Sequence, residues 1–348
     1  NVAVGTLAMD ANTTGGSNVG VGRDALGANT TGSNNTAVGK SALNTTTTSD
    51  NNTGVGFQAL YTLNGGVSNA ALGHNALFNG TTCDNNTAVG KSAMENITSG
   101  SKNVAVGTNA LDAATTADDN TAVGYEALGA NTSGTDNVAV GQAALDANTT
   151  GNLNTACGSF ALSTATEANN NTGLGYSALF LLTTGSNNTA VGRASGENVT
   201  TGAQNVFVGA ESGDAATTAS NNTGIGYEAL GKLTTGTDNT SVGRAAALDY
   251  TTGSGNVAVG VEALENGTTG SNNVAVGKQA GRSVSTGGNL LMLGTSSGNS
   301  GSPGGALTSG NNEVTLGNGD HSKINVQVSL SVASDERDKT DFQPLSAG

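Results

Sequence analysis

The chain has no tryptophan and only 2 prolines, 2 cysteines and 2 histidines among 348 residues. Aromatic residues make up 3% and charged residues 11%, against roughly a quarter charged in an ordinary soluble domain. So few large side chains cannot fill the broad core that one large domain, or two ordinary ones, of this length would need. Scarce proline, low charge and frequent valine argue equally against disorder. Collagen is excluded because the 54 glycines do not fall at every third position and proline is nearly absent. No run of about 18 apolar residues is present to cross a membrane as a helix. What remains is a long, thin object with a narrow core of small side chains.

Charge narrows the partners. Lys and Arg number 12 against 26 Asp and Glu, for a net charge of −14. That opposes binding to a nucleic-acid backbone, which needs clustered cations, and favours solubility. The sequence opens on Asn1 without a leader pattern and reads as a piece of a longer product.

What the chain does have is a repeat. The string Asn-(Val/Thr)-(Ala/Gly)-Val-Gly recurs every 17 residues from Asn1, Asn18, Asn35 and Asn52 to Asn273, without insertion or deletion. Its fifth residue stays in phase from Gly5, Gly22 and Gly39 to Gly294, so 18 glycines share one register. Numbered from the Asn, positions 8 and 9 are mostly Ala-Leu, and a Thr-Thr-Gly run returns the chain. Gly, paired Thr and Asn in every copy argue against a helical repeat. The expected fold is all-β, a parallel β-solenoid (a β-roll) of about 18 coils of 17 residues.

Each position then has an expected role. Position 4 is Val, Leu, Ile or Cys throughout, which makes it the expected core row. Position 3, mostly Ala or Gly, is expected on the opposite face against another backbone surface. The invariant Gly needs a positive φ or has no room for a Cβ. Stacked Asn side chains are expected to form an amide ladder. Ala-Leu is expected to begin a second wall, and the Thr row to be a hydroxyl ladder in a turn rather than an ice-binding surface. At about 4.8 Å per coil the rod is roughly 85 Å long. The small residues on one face suggest that several rods pack together, as a homotrimer.

The Asn-x-Ala-Val-Gly strand with its small-residue turn resembles the left-handed β-roll heads of trimeric autotransporter adhesins, whose repeat is shorter, and the repeats of phage tail fibres. The resemblance covers residues 1–294 and implies a left-handed roll, three of which share an axis. A second resemblance lies near the end. Ser334-Asp-Glu-Arg-Asp-Lys-Thr-Asp-Phe342 is similar to the opening of the self-cleaving intramolecular chaperone of phage tailspikes and tail fibres, with Asp338 where Leu is common. The resemblance implies Ser334 as nucleophile and Lys339 as its base, the remainder of the chaperone lying beyond Gly348. The expected organisation is a shaft over 1–294, a Gly/Ser/Pro loop over 295–311, a strand neck over 312–333, and the start of the chaperone over 334–348.

Elsewhere the chemistry is sparse. Position 6 gathers Arg23, Lys40, Phe57, His74, Lys91, Tyr125, Tyr176, Arg193, Tyr227, Arg244 and Lys278, with acids often following at position 7. All of these except His74 are ligand-binding candidates, in a ribbon that could contact glycans or a neighbouring fibre. The plainer reading, which the rarity of functional surface rows favours, is a solvent-facing edge whose long side chains stack and pair with acids. Cys83 is expected to be a loop thiol and Cys157 to replace a core Val; their coils are too far apart for a disulfide. No His, Cys or carboxylate spacing suggests a metal, no cofactor motif stands out, and no acid pair recurs with a base. The expected function is therefore structural and not enzymatic: the shaft of a phage or phage-like tail fibre that projects a receptor-binding end for host attachment. Expected partners are its own copies, other tail or baseplate proteins and a host surface glycan or protein receptor, with no nucleic acid and no membrane insertion. The expected location is the virion tail or a cell surface, and the alternative is a bacterial adhesin that binds glycans along the rod. In a gene product that carries the whole chaperone, Ser334→Ala is expected to leave the chain uncut, read as intact mass against a wild type shortened near Ser334.

Overall fold

The computed structural model describes residues 1–302 and 304–321. Nineteen three-residue strands, from β1 (Val2–Val4) to β18 (Leu291–Leu293) and β19 (Val314–Leu316), form one parallel sheet. Each strand pairs with the next in sequence at equivalent repeat positions, so that Val2 faces Val19 and Val257 faces Val274. The fold is a parallel β-solenoid of 17-residue coils. Each coil holds a single strand at positions 2–4. The expected second wall is a stack of turns, not a second strand.

The turns stack as tightly as the strands because their backbone groups also bond between coils. Leu26 N–H donates to the Ala42 carbonyl at 3.1 Å, Ala28 to Asn44 at 2.9 Å and Thr30 to Thr47 at 2.9 Å. The Thr30 hydroxyl donates to the same Thr47 carbonyl at 3.0 Å, which is the hydroxyl ladder the Thr row implied. Proline would remove one of these donors, which explains its absence from the repeats.

Two rows fix the coil. The glycines Gly5 to Gly294 all have φ between +108° and +149°. A Cβ on any of them from Gly5 to Gly277 would fall 2.2–2.6 Å from a backbone atom of the next glycine. Both expected reasons for the invariant Gly hold together. The Asn row is buried from Asn18 to Asn273. Asn35 N–H donates to Asn18 Oδ1 at 2.8 Å, and Asn35 Nδ2 donates to the Ser49 carbonyl of its own coil at 2.7 Å. Asn52 repeats the pattern with Asn35. Each Asn thus ties its coil to the preceding one and closes its own turn.

The orientation of the strand reverses the expectation. Position 3 points inward: Ala37, Ala88 and Ala139 are fully buried. Positions 2 and 4 point outward, and Val38, Val106 and Val140 are each 37% exposed. The interior is already occupied by Ala and Leu at positions 8 and 9. A Cβ on Gly54 would sit 3.3 Å from Leu43 Cδ1, so little more than a methyl fits beneath the strand. The small row at position 3 therefore faces the chain's own core, not a neighbouring rod. Cys157, at position 4, is exposed instead of replacing a core Val, and Cys83 lies in the irregular return segment as expected, with its thiol buried.

The core costs backbone strain. Positions 7, 9 and 17 are left-handed in nearly every coil, for example Asp24, Leu26 and Asn34 at φ 61°, 52° and 61°. Position 17 is exposed and mostly Asn, Asp or Ser, with Asn and Asp the side chains that tolerate this region best. Position 9 is mostly Leu. Left-handed backbone costs it about 1–2 kcal/mol, against about 1.5–3 kcal/mol gained by burying the side chain. Burial wins, by a narrow margin in each coil.

The bulkiest rings and the Met at position 3 enter this core where a neighbour is glycine. Phe207 at position 3 is fully buried because position 9 is Gly196 in the preceding coil and Gly213 in its own. A Cβ on Gly213 would lie 2.5 Å from the Phe207 ring. Met292 is accommodated in the same way by Gly281 and Gly298, and the buried Tyr250 by Gly267, whose Cβ would lie 1.9 Å from that ring.

Between β18 and β19 the step is 23 residues rather than 17. The additional residues lie between Gly298 and Leu307, after which Leu307 returns to the core and Ser285 N–H bonds the Thr308 carbonyl at 2.8 Å. The described residues of segment 295–311 thus form turns and bends within an enlarged coil. Within the 312–333 stretch expected as a strand neck, Val314–Leu316 form β19. The remainder of the neck from residue 322 and the whole 334–348 motif lie outside the described residues.

Phe207→Ala is expected to cost about 3–5 kcal/mol, as a cavity replaces the ring. Adding Gly196→Leu and Gly213→Leu restores the common packing and is expected to recover most of that loss, read by guanidinium unfolding followed by circular dichroism.

Candidate binding ridge

Positions 6 to 11 form a run of turns at one corner of the coil, directly after the glycine column. All ten ligand-binding candidates lie there, one per coil, and are exposed: Arg23, Lys40, Phe57, Lys91, Tyr125, Tyr176, Arg193, Tyr227, Arg244 and Lys278. The structure joins some of them. Lys40 Nζ stands 5.3 Å from the Phe57 ring centre, and Phe57 stacks on His74 at 5.1 Å. Arg193 pairs with Glu211, and Arg244 with Glu262, each one coil further on. Arg23 pairs with its neighbour Asp24 at 3.4 Å. Lys91 and Lys278 make no ion pair among the described residues. Much of the row is thus the stacking and pairing edge of the plainer reading. Pairs this exposed contribute about 0–1 kcal/mol each.

The repeat pattern did not announce a second row. Position 10 runs beside position 6 on the same corner and carries Tyr61, Phe78 and Phe180. Tyr61 and Phe78 stack nearly parallel at 5.1 Å. Phe160, at position 7, bridges the two rows, edge-on to Tyr176 at 6.0 Å and to Phe180 at 6.4 Å. The interval of 17 between Tyr61 and Phe78 was visible in the sequence. That positions 6, 7 and 10 share one surface was not, because it depends on the left-handed residues that fold the corner. Apart from the core residues Phe207 and Tyr250, every aromatic side chain among the described residues lies on this ridge.

Carboxylates occupy the same ridge. Where position 10 is Gly129, the missing side chain opens a notch of about 360 Å³ lined by Asn109, Asp112, Glu126 and Asp146. A smaller notch of about 150 Å³ opens at Gly231 among Glu211, Asp214 and Glu228. Partial burial raises Asp112, Asp146 and Asp214 above the usual carboxylate range, and Glu95, Glu126 and Glu197 respectively add to this by repulsion. Asp112 Oδ1 is buried without a hydrogen bond. Glu126 holds the Tyr125 phenol protonated, and Glu228 does the same for Tyr227. Among the described residues, no group of three or more His, Cys, Asp or Glu is arranged to hold a metal ion.

The structural residues Gly5, Gly22, Gly39, Asn18, Asn35 and Asn52 sit in the two rows that fix the coil. Ser334 and Lys339 lie outside the described residues.

Because Asp112, Asp146 and Asp214 have raised values in the folded chain, folding takes up protons as they titrate. Stability is expected to rise as pH falls through their raised values, with the gain complete below the ordinary aspartate value of about 3.9. Asp112→Asn removes one such penalty. Its melting temperature at pH 7 is expected to exceed the wild type's, with the difference shrinking on acidification.

No protein-family profile matches the chain, and no curated protein does. The chain is defined by its fold, a parallel β-solenoid of 17-residue coils.

Proposed function

We propose that the chain is the shaft of a phage or phage-like tail fibre, a non-enzymatic rod whose copies pack side by side as a homotrimer and carry a receptor-binding end. The observation that supports this reading is the outer face of the sheet. Across nineteen strands, neither outward position carries a charged residue, although the chain has a net charge of −14. Nine strands begin with Thr at position 2, yet none ends with Thr at position 4. Strand propensity alone would accept Thr at either place. Position 4 thus has the chemistry of a buried row, while the single chain leaves it half-buried or exposed.

A second copy is the partner that fits. A face three residues wide and nineteen strands long covers roughly 850 Å² by the strand spacings, which in a trimer each chain divides between its two neighbours. Another copy brings the same rows at the same spacing, so every coil can meet an equivalent coil. Left uncovered, an apolar sheet face of this length would be an aggregation hazard. The fibre reading itself rests on the 17-residue roll and on the resemblance of the Ser334–Phe342 motif to the tail-fibre chaperone.

Native mass spectrometry is expected to find a trimer, and Val106→Asp with Val140→Asp is expected to shift it toward monomer. Cys157 lies on the proposed interface, whereas Cys83 is buried and its thiol pushed up to about 12 by that burial. Mild oxidation is therefore expected to link chains in the wild type and not in Cys157→Ser. A wild type that is monomeric at micromolar concentration overturns the reading.

A further inference from the structure

The corner ridge, which follows the glycine column, contains none of the strand positions proposed to pack between copies. It holds two ring patches on one line along a rigid rod. The first is Phe57, Tyr61, His74 and Phe78, with rings stacked in pairs. The second is Phe160, Tyr176 and Phe180, arranged edge to face. Phe78 and Phe180 occupy the same repeat position six coils apart, about 29 Å by the strand spacing. The carboxylate notch at Gly129 lies between the patches.

We infer that this ridge binds a linear, neutral polysaccharide, with the ring patches stacking on sugar faces and the notch carboxylates accepting hydrogen bonds from hydroxyls. Three features select that occupant. The rings are wholly or partly exposed: Tyr176 is 56% accessible. In a chain with this little aromatic content, every aromatic outside the core among the described residues sits on this one face. The carboxylates of Asp112, Glu126 and Asp146 make no ion pair among the described residues, so they repel a polyanion and remain available as acceptors. Each patch is only three or four rings, far below the roughly 800 Å² per partner of a protein interface. Patches of that size suit individual sugar rings, and their alignment on a straight rod suits a polymer that reaches both.

The test is affinity electrophoresis of the full chain through native gels containing hydroxyethyl cellulose, galactomannan or dextran, with alginate as the anionic comparison. The expected result is retardation on at least one neutral polymer and none on alginate. Replacing Phe160, Tyr176 and Phe180 by Ala is expected to weaken that retention about tenfold, the scale of losing aromatic stacking contacts. Tyr176→Ala alone removes the most exposed ring of the patch without opening the core and is expected to act in the same direction. Circular dichroism and native mass of the same samples read folding and stoichiometry separately, so loss of binding is not confused with loss of the trimer. No retardation on any neutral polymer overturns the inference. So does retardation on alginate alone, or equal retardation of wild type and Tyr176→Ala.

Discussion

The stacking of one coil on the next governs everything else in this molecule. Backbone hydrogen bonds run between coils in the strand and in the turns alike, and they hold only if every coil keeps the same length and shape. The glycine column enforces this most strictly. Its φ is positive, and a Cβ would fall within 2.2–2.6 Å of the next coil's backbone, so a single added methyl group would force adjacent coils apart. The buried Asn row adds the complementary tie, filling donors and acceptors at the turn that neither strand nor turn backbone could satisfy. Unsatisfied, such buried groups would cost about 1–3 kcal/mol each.

A fixed coil produces a narrow interior, and that interior sets the composition. Ala beneath the strand and Ala-Leu beneath the turns leave little room: a Cβ on Gly54 would already sit 3.3 Å from Leu43 Cδ1. Phe207, Tyr250 and Met292 appear as exchanges: Phe207 with Gly196 and Gly213, Tyr250 with Gly267, Met292 with Gly281 and Gly298. Those exchanges cross coils, so the core is maintained as a local sum of volumes and not residue by residue. The same narrowness explains the left-handed leucines. A coil of 17 residues must turn sharply to point a long side chain inward, and the gain from burial exceeds the conformational cost.

With the interior closed to charge and to most aromatics, those side chains are distributed over the surface in rows, and the rows differ in chemistry. The strand face is uncharged over its whole length. The corner ridge collects rings and carboxylates. A solenoid translates a residue's place in the repeat into a line along the rod, so each row acts as a continuous surface. On the readings proposed here, one line serves packing between copies and the other serves a polymer ligand.

The period, the parallel all-β architecture, the need for glycine and the Asn ladder were all legible in the sequence. These follow from spacing and from backbone chemistry, which a strictly repeated chain displays directly. Position 4, read as the core row, instead faces outward. The facing of the strand was not legible. In a three-residue strand the alternation allows position 3, or positions 2 and 4, to point inward, and only the closed coil, with Leu already filling the far side, decides that a methyl at position 3 goes in. The second aromatic row and the Phe160 bridge escaped for a related reason. Positions 6, 7 and 10 become neighbours through left-handed residues at a corner whose geometry no pattern of apolar residues announces. Sequence determines what repeats along the axis; the folded coil decides what meets across it, because contacts across the coil depend on how each turn closes.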